Sequence, residues 1–173
     1  VHYLNNILND FLSIERLESG AGQYKYTSFS LKRLINEVVY NANVTLKNGQ
    51  EIIYPQDIED VLLYQDEKIL ELIISNLLSN SIKYSPEDTL IHLEVETTRN
   101  TIIFEVTDQG IGIPEEDKKH IFERYFRAEN AVLNQGTGIG LNIAKTHLEN
   151  LGGNIKFESK ENEGTKFTVE IPI

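Results

Sequence analysis

Two hydrophobic periods divide the chain. A helical period opens it: Leu4, Leu8, Phe11 and Ile14 recur at steps of four, three and three, which predicts a helix over 1–18 with one apolar seam, ended by Gly20 and Gly22. A lone helix of that length is marginal in water. The seam therefore predicts a partner, either another helix of a bundle or the domain that follows. A second amphipathic helix is predicted over 30–47, with Ser30 as N-cap and Leu31, Leu34, Val38 and Ala42 on its buried stripe. Short apolar segments at 51–54 and 61–64 read as strands. From Asp66 a third helix runs to about Tyr84, where Ser85-Pro86 stops it.

Period two then takes over. Across 89–97, Ile91, Leu93 and Val95 alternate with His92, Glu94 and Glu96; across 101–108, Ile102, Phe104 and Val106 alternate with Ile103, Glu105 and Thr107. That pattern predicts antiparallel strands with one covered face. A last helix over 141–151 carries Leu141, Ala144, Leu148 and Leu151 on one side and closes at Gly152-Gly153. Strands at about 154–159 and 165–171 flank Glu163-Gly164 as a hairpin. The expected fold is α+β, a two-layer α/β sandwich of one mixed sheet covered by about three helices, preceded by the long N-terminal helix.

Composition narrows the function classes. The 173 residues are 40% hydrophobic and 25% charged, as in an ordinary globular chain. Sixteen Lys and Arg against 27 Asp and Glu give a net charge of −11, which argues against nucleic-acid binding and anionic membrane surfaces. The sequence has no Cys, so disulfides, thiolate zinc sites and cysteine nucleophiles are excluded. No apolar run approaches a membrane span. A start at Val1 with no Met anywhere predicts a piece of a longer protein.

Chemistry enters at four places. Asn76, Asn80, Lys83 and Tyr84 stand at offsets 0, 4, 7 and 8 of the third helix and share one face, opposite Ile69, Leu70, Ile73 and Leu77. Amide oxygens suit a hard cation such as Mg²⁺, a Lys one turn on can reach phosphate, and an aromatic ring can lie on a base. Asp108 ends the strand whose inward series is Ile102, Phe104 and Val106, so its parity carries it inward. A buried carboxylate needs donors, and a purine amine is one. Gly110, Gly112 and Ile113 follow, in a stretch that lets backbone approach a flat ligand. The segment Ile121 to Arg127 holds Tyr125 and lies in a basic cluster of Lys118, Lys119, Arg124 and Arg127; residues 128–137 after it predict a lid. Finally Gly136-Thr137-Gly138-Ile139-Gly140 precedes the helix starting near Leu141, which frees backbone N–H groups for an anion. Neither a Walker A loop nor the dinucleotide fingerprint occurs. Each signal alone also reads as a solvated helix face, a plain Asp-x-Gly turn or a short amphipathic helix. Their order together describes a nucleotide site without a P-loop.

That order resembles the catalytic and ATP-binding domain of two-component sensor histidine kinases, in the ATPase superfamily that includes DNA gyrase and MutL. Asn76 to Tyr84 resembles the N box, Asp108 to Gly112 the first glycine box, Phe122 to Arg127 the F box, and Gly136 to Leu141 the second glycine box. The resemblance covers about 25–173 and implies the Bergerat ATP-binding fold. Residues 1–20, ending Glu15-Arg16-Leu17-Glu18-Ser19-Gly20, resemble the end of the second helix of the dimerisation and phosphoacceptor domain.

The resemblance implies ATP and Mg²⁺ as cofactors, with Asn80 on the metal and Asn76 supporting its shell. Lys83 and Arg127 would touch phosphates, Tyr84 would lie against adenine, and Asp108 would accept from its amino group. Gly110, Gly112, Gly136, Gly138 and Gly140 would admit close backbone approach, and Ile113, Tyr125, Thr137 and Leu141 would complete the contacts. The gyrase-like enzymes carry a Glu general base where Asn76 stands. An amide cannot take a proton at neutral pH, so phosphoryl transfer to a histidine is expected over hydrolysis. None of His2, His92, His120 and His147 has the acceptor motif around it. The expected partners are therefore the phosphoacceptor and dimerisation domain of the parent kinase and a response regulator receiver domain, with no nucleic acid. The parent would be a homodimer and this piece a monomer or weak dimer, placed in the cytoplasm whether or not the parent is membrane-anchored. The alternatives are a serine kinase of the anti-sigma-factor type, an ATP-gated adaptor, and a gyrase- or chaperone-like ATPase.

Overall fold

The computed structural model describes residues 24–132, 134 and 136–173; the helix expected over 1–18 lies outside them. Strand β1 (Thr27–Ser30) runs into helix α1 (Leu31–Asn43), followed by β2 (Glu51–Ile53), β3 (Leu62–Gln65), α2 (Glu67–Tyr84), β4 (Leu90–Thr97), β5 (Thr101–Thr107), a 3₁₀ turn (Glu129–Ala131), α3 (Gly140–Asn150), β6 (Asn154–Lys160) and β7 (Gly164–Pro172).

Five strands form one mixed sheet in the order β2-β4-β5-β7-β6, in which β2 lies parallel to β4 and every other pair is antiparallel. The alternation in β4, β5 and β7 sorts Ile91, Leu93, Ile102, Phe104, Val106, Phe167, Val169 and Ile171 onto one face, where helices bury them. Phe104 sits mid-sheet between Val95 and Val169. The α+β sandwich expected from the hydrophobic pattern is the observed fold. Beside it, β1 and β3 pair as a separate two-stranded antiparallel sheet that the pattern does not foretell. Thr27-Ser-Phe-Ser30 has a single apolar residue, so only its pairing with Leu62–Gln65 reveals a strand.

The helices begin where their caps dictate. Ser30 accepts from the Arg33 N–H at 3.0 Å, and Leu31, Leu34, Ile35, Val38 and Val39 of α1 are buried. Asp66 accepts from the Ile69 N–H at 3.1 Å and caps α2, with Glu67 in the first turn. α1 ends at Asn43 rather than 47, because the chain turns there. The Thr45 hydroxyl donates to the Ala42 carbonyl at 2.8 Å, and the residues beyond it do a different job.

That job is to close α2. The last four carbonyls of a helix have no partner within it, yet here each is taken. Ser81 accepts from the Ser85 N–H at 3.1 Å and Tyr84 from the Ile111 N–H at 3.1 Å. The Ile82 carbonyl accepts from Gln50 Nε2 at 3.1 Å, and the Lys83 carbonyl from Lys47 Nζ at 2.7 Å. Lys47 also binds the Ser85 carbonyl at 2.6 Å, and Gln50 the Pro86 carbonyl at 2.9 Å. A cation at a helix C-terminus is also favoured by the helix dipole.

At its other end the domain ties its first described residue to α3. The Tyr24 hydroxyl accepts from Asn150 Nδ2 at 2.9 Å and lies 3.0 Å from Nδ1 of the buried His147. Burial pushes the His147 pKa below its usual value, with the Asp66 charge opposing. A depressed histidine contributes stability above its unfolded value of about 6.5, and that stability is lost as pH falls through the folded value. Urea midpoints are expected to decline below about pH 6.5, and His147→Phe is expected to remove that part of the slope. An unchanged slope in the variant would place the acid sensitivity elsewhere. Among the described residues no helix is long and apolar enough to cross a membrane.

Candidate nucleotide-binding cleft

One cleft collects side chains from three of the four segments that carry chemistry and from the start of α3. α2 supplies Asn80 and Tyr84, the end of β5 supplies Asp108, and the loop after it Ile111, Gly112 and Ile113. The rest of the lining is Ile121, Phe126, Arg127, Ala128, Asn130 and Ala131, with Leu141 from α3 and Thr165 and Phe167 from β7. The cleft is open to solvent, and about 610 Å³ of space is enclosed when its open mouth is counted. Most of its lining is apolar, and a few polar groups converge on it, which is how such sites fix a ligand's orientation.

Asp108 is the most constrained of them. It is only 8% exposed. Its Oδ1 accepts from the Gly110 N–H at 2.9 Å and the Thr165 N–H at 3.1 Å, and its Oδ2 from the Ser81 hydroxyl at 3.0 Å. Burial pushes its pKa up, while the Gly110, Ser81 and Thr165 donors hold it down. Oδ1 is thus fully used, and Oδ2 keeps a lone pair for one more donor. The pleat parity of β5 brings the carboxylate to this position, as the alternation Ile102, Phe104, Val106 foretells.

Other polar groups meet around this floor. Lys83 Nζ donates to the Tyr84 hydroxyl at 2.8 Å. The Arg127 guanidinium binds the carbonyls of Ala131, Val132 and Asn134 through Nη2, while its Nε is buried with no acceptor. Asn76 lies outside the lining: its Nδ2 donates to the Gly140 carbonyl at 3.3 Å and links α2 to the start of α3.

The second glycine cluster is packed against protein. A Cβ on Gly136 would collide with Lys83 Nζ; one on Gly138, whose φ is +74°, would come within 2.7 Å of the Phe126 carbonyl; one on Gly140 would lie 3.3 Å from Asn76 Oδ1. Thr137 accepts from the Ile139 N–H at 3.4 Å. Tyr125 is exposed with a φ of +64°, and its N–H donates to the Gly138 carbonyl at 3.0 Å. Of the residues singled out from sequence, Asn80, Tyr84, Asp108, Gly112, Ile113, Arg127 and Leu141 line the cleft. Asn76, Lys83, Gly110, Tyr125, Gly136, Thr137, Gly138 and Gly140 are not among its lining residues.

Sequence reasoning missed Ser81, Thr165 and Asn130. Ser81 is fully buried in an apolar helix face, and that misfit was the available signal. Thr165 and Asn130 gave none, because their partners are set by the fold. Among the described residues no three His, Cys, Asp or Glu side chains gather into a metal cluster.

Comparison with known proteins points the same way. Residues 65–173 match the family model described as histidine kinase-, DNA gyrase B-, and HSP90-like ATPase. The chain is 33% identical to the circadian input-output histidine kinase CikA of Synechococcus elongatus, over 98% of this chain and 23% of that protein. It is 29% identical to the sensor histidine kinase WalK of Bacillus subtilis, over 96% of this chain and 28% of that one. The chain spans less than half the length of the curated relatives it matches. The solved catalytic domain of histidine kinase ThkA superposes with a TM-score of 0.71 at 31% identity, over 86% of this chain and 95% of that domain.

Proposed function

The chain belongs to the histidine kinase-, DNA gyrase B- and HSP90-like ATPases and carries the ATP-binding catalytic domain of a sensor histidine kinase; from that premise we propose that it binds Mg²⁺-ATP in the cleft and passes the γ-phosphoryl group to a histidine of a phosphoacceptor domain, for onward transfer to an aspartate of a response regulator. The observation that carries the proposal is Asp108. It is a buried carboxylate with one oxygen saturated and the other able to take one more donor at the floor of a cleft. The adenine amine supplies that donor. Tyr84 lies against the base.

The donor set fits the nucleotide. Arg127 Nε and Asn130 Oδ1 are buried and unpaired in the lining, one asking for an acceptor such as phosphate and the other for a donor. Lys83 reaches phosphate by exchanging its bond to the Tyr84 hydroxyl. Gly110 and Gly112 keep the Asp108 loop slim, and Gly136, Gly138 and Gly140, with Thr137, bring the N-terminus of α3 and its dipole toward negative charge. Ile113 and Leu141 pack on the apolar parts of the ligand, and Tyr125 flanks the phosphate side. Magnesium, when bound, would neutralise phosphate charge and leave the γ-phosphorus open to in-line attack. The amide oxygen of Asn80 suits that ion, which keeps several of its waters.

Asn76 decides between transfer and hydrolysis. Its amide is a link to Gly140 and has no basic lone pair to take a proton from water. The imidazole of the acceptor brings its own nucleophile. That imidazole comes from a separate domain: among the described residues His147 is buried against Tyr24, His120 pairs with Glu123 at 2.7 Å, His92 lies in β4, and none lines the cleft. Residues 1–20 belong to the helical phosphoacceptor and dimerisation domain, and 25–173 form the catalytic unit. The parent acts as a homodimer.

The test is transfer in trans. This chain, Mg²⁺-ATP labelled at the γ-phosphate and a separately made phosphoacceptor domain of the parent are mixed, and the phosphoprotein is quenched in acid and in base. An acid-labile, base-stable label is expected on the acceptor. An acid-stable label would instead identify a serine kinase, and ATP binding with no label an adaptor.

A further inference from the structure

Asn130 occupies the middle of the 3₁₀ turn, three residues past Arg127, and lines the cleft. Its amide orientation is determined by its neighbours. One end faces the carbonyls of Gly112 at 3.1 Å and Ile111 at 3.4 Å. Only the NH₂ group can face two acceptors, so Nδ2 is turned to that loop and Oδ1 away from it. Oδ1 is buried and has no donor. Buried amide oxygens nearly always find a partner, so this one calls for an explanation, and it belongs to a residue that lines the cleft.

The chemistry of that group follows by elimination. The orphan is an acceptor, so the ligand must present a donor. An adenosine triphosphate has few donors: its phosphate oxygens and ring nitrogens accept, and only the exocyclic amine and the two ribose hydroxyls donate. The amine goes to Asp108, the one carboxylate in the lining. The position of Asn130 agrees. Its Nδ2 is tied to the loop that continues from Asp108, and its own segment continues from Arg127. It therefore bridges the base-binding carboxylate and the phosphate-binding guanidinium, and in the nucleotide the sugar joins those same two parts. Resting on the nucleotide reading of the cleft, we infer that Asn130 reads the sugar: Oδ1 accepts a hydrogen bond from a ribose hydroxyl while Nδ2 holds the turn to the Ile111 and Gly112 carbonyls.

The experiment measures equilibrium binding of ATP, 2′-deoxy-ATP and 3′-deoxy-ATP to the wild-type chain and to Asn130→Ala. Wild type is expected to bind ATP about five- to tenfold more tightly than one of the two deoxy analogues, the size of a hydrogen bond that otherwise leaves a buried acceptor unpaired. Asn130→Ala is expected to bind all three alike. Any general loosening of the turn in the variant weakens the three nucleotides together and cancels in the ratio, so a purely structural role cannot imitate the result. The inference is overturned if wild type treats the three alike, or if the preference survives in Asn130→Ala. Binding of ATP with no sugar preference removes this inference alone, whereas failure of all three to bind removes the nucleotide reading with it.

Discussion

Asp108→Asn is expected to weaken ATP binding about a hundredfold while leaving the domain at least as stable at pH 7. The two effects separate because of how the carboxylate is held. Oδ1 receives two backbone N–H groups, from Gly110 and Thr165, so the variant's amide settles with its oxygen there. Its NH₂ then points toward Ser81 and the cleft. The Ser81 hydroxyl can rotate to accept it, and the fold keeps its hydrogen bonds. The incoming adenine amine, however, meets a donor where it needs an acceptor. Losing a charge-assisted bond and gaining an unpaired donor sums to roughly 3 kcal/mol.

Stability should move the other way with pH. Burial raises the Asp108 pKa above its ordinary value. A raised carboxylate contributes stability below the unfolded value of about 3.9, and that contribution is lost as pH rises through the folded value. Wild type is therefore expected to lose ground against Asp108→Asn between pH 4 and the folded pKa. Urea titrations of both proteins across that range check it, and a variant that unfolds at pH 7 would contradict this account of the site.

Gly112→Ala is expected to cost about 2–5 kcal/mol and to abolish binding. Gly112 has a φ of +63°, and a Cβ there would fall inside the Lys160 carbonyl and within 2.9 Å of the Glu161 Cα. Both obstacles are backbone, so no side chain can swing aside. Gly152→Ala is the matched control. Its φ is +77°, but the nearest atom to the new Cβ would be Pro172 Cγ at 3.4 Å, so it carries the left-handed cost alone, about 1–2 kcal/mol. Chemical denaturation of the pair, with ATP titration of whichever folds, separates the two contributions. Equal losses would mean that the approach of the Gly112 loop to the β6–β7 turn is not as close as described.

How far the sequence reaches depends on the range of each interaction. α2 is legible to within a residue because its cap, its apolar face and its Ser85-Pro86 stop are all local. α1 is predicted too long because the stretch to Lys47 looks helical, but Lys47 binds a carbonyl of α2 more than thirty residues away. β1 has no pattern of its own to read. At the site, the order of the motifs is legible, and so is the inward parity of Asp108. The contribution of Thr165 to Asp108 spans 57 residues and exists only once β5 and β7 pair. The glycines show a further ambiguity. Glycine is needed equally for close approach to a ligand and to another piece of chain, so Gly136, Gly138 and Gly140 give one sequence signal for two arrangements, and in the structure they lie against Lys83, Phe126 and Asn76.

The closure of α2 by Lys47 and Gln50 has a consequence for any small molecule that competes at this cleft. Every carbonyl at that end of the helix is already committed, and Tyr84 is joined through its own carbonyl to Ile111, so the half of the cleft around Asp108 is finished before a ligand arrives. In the placement proposed above, a fragment no larger than adenine would meet backbone that is already held and would have little protein motion to freeze. High affinity per atom for bare heterocycles is the behaviour expected of such a site.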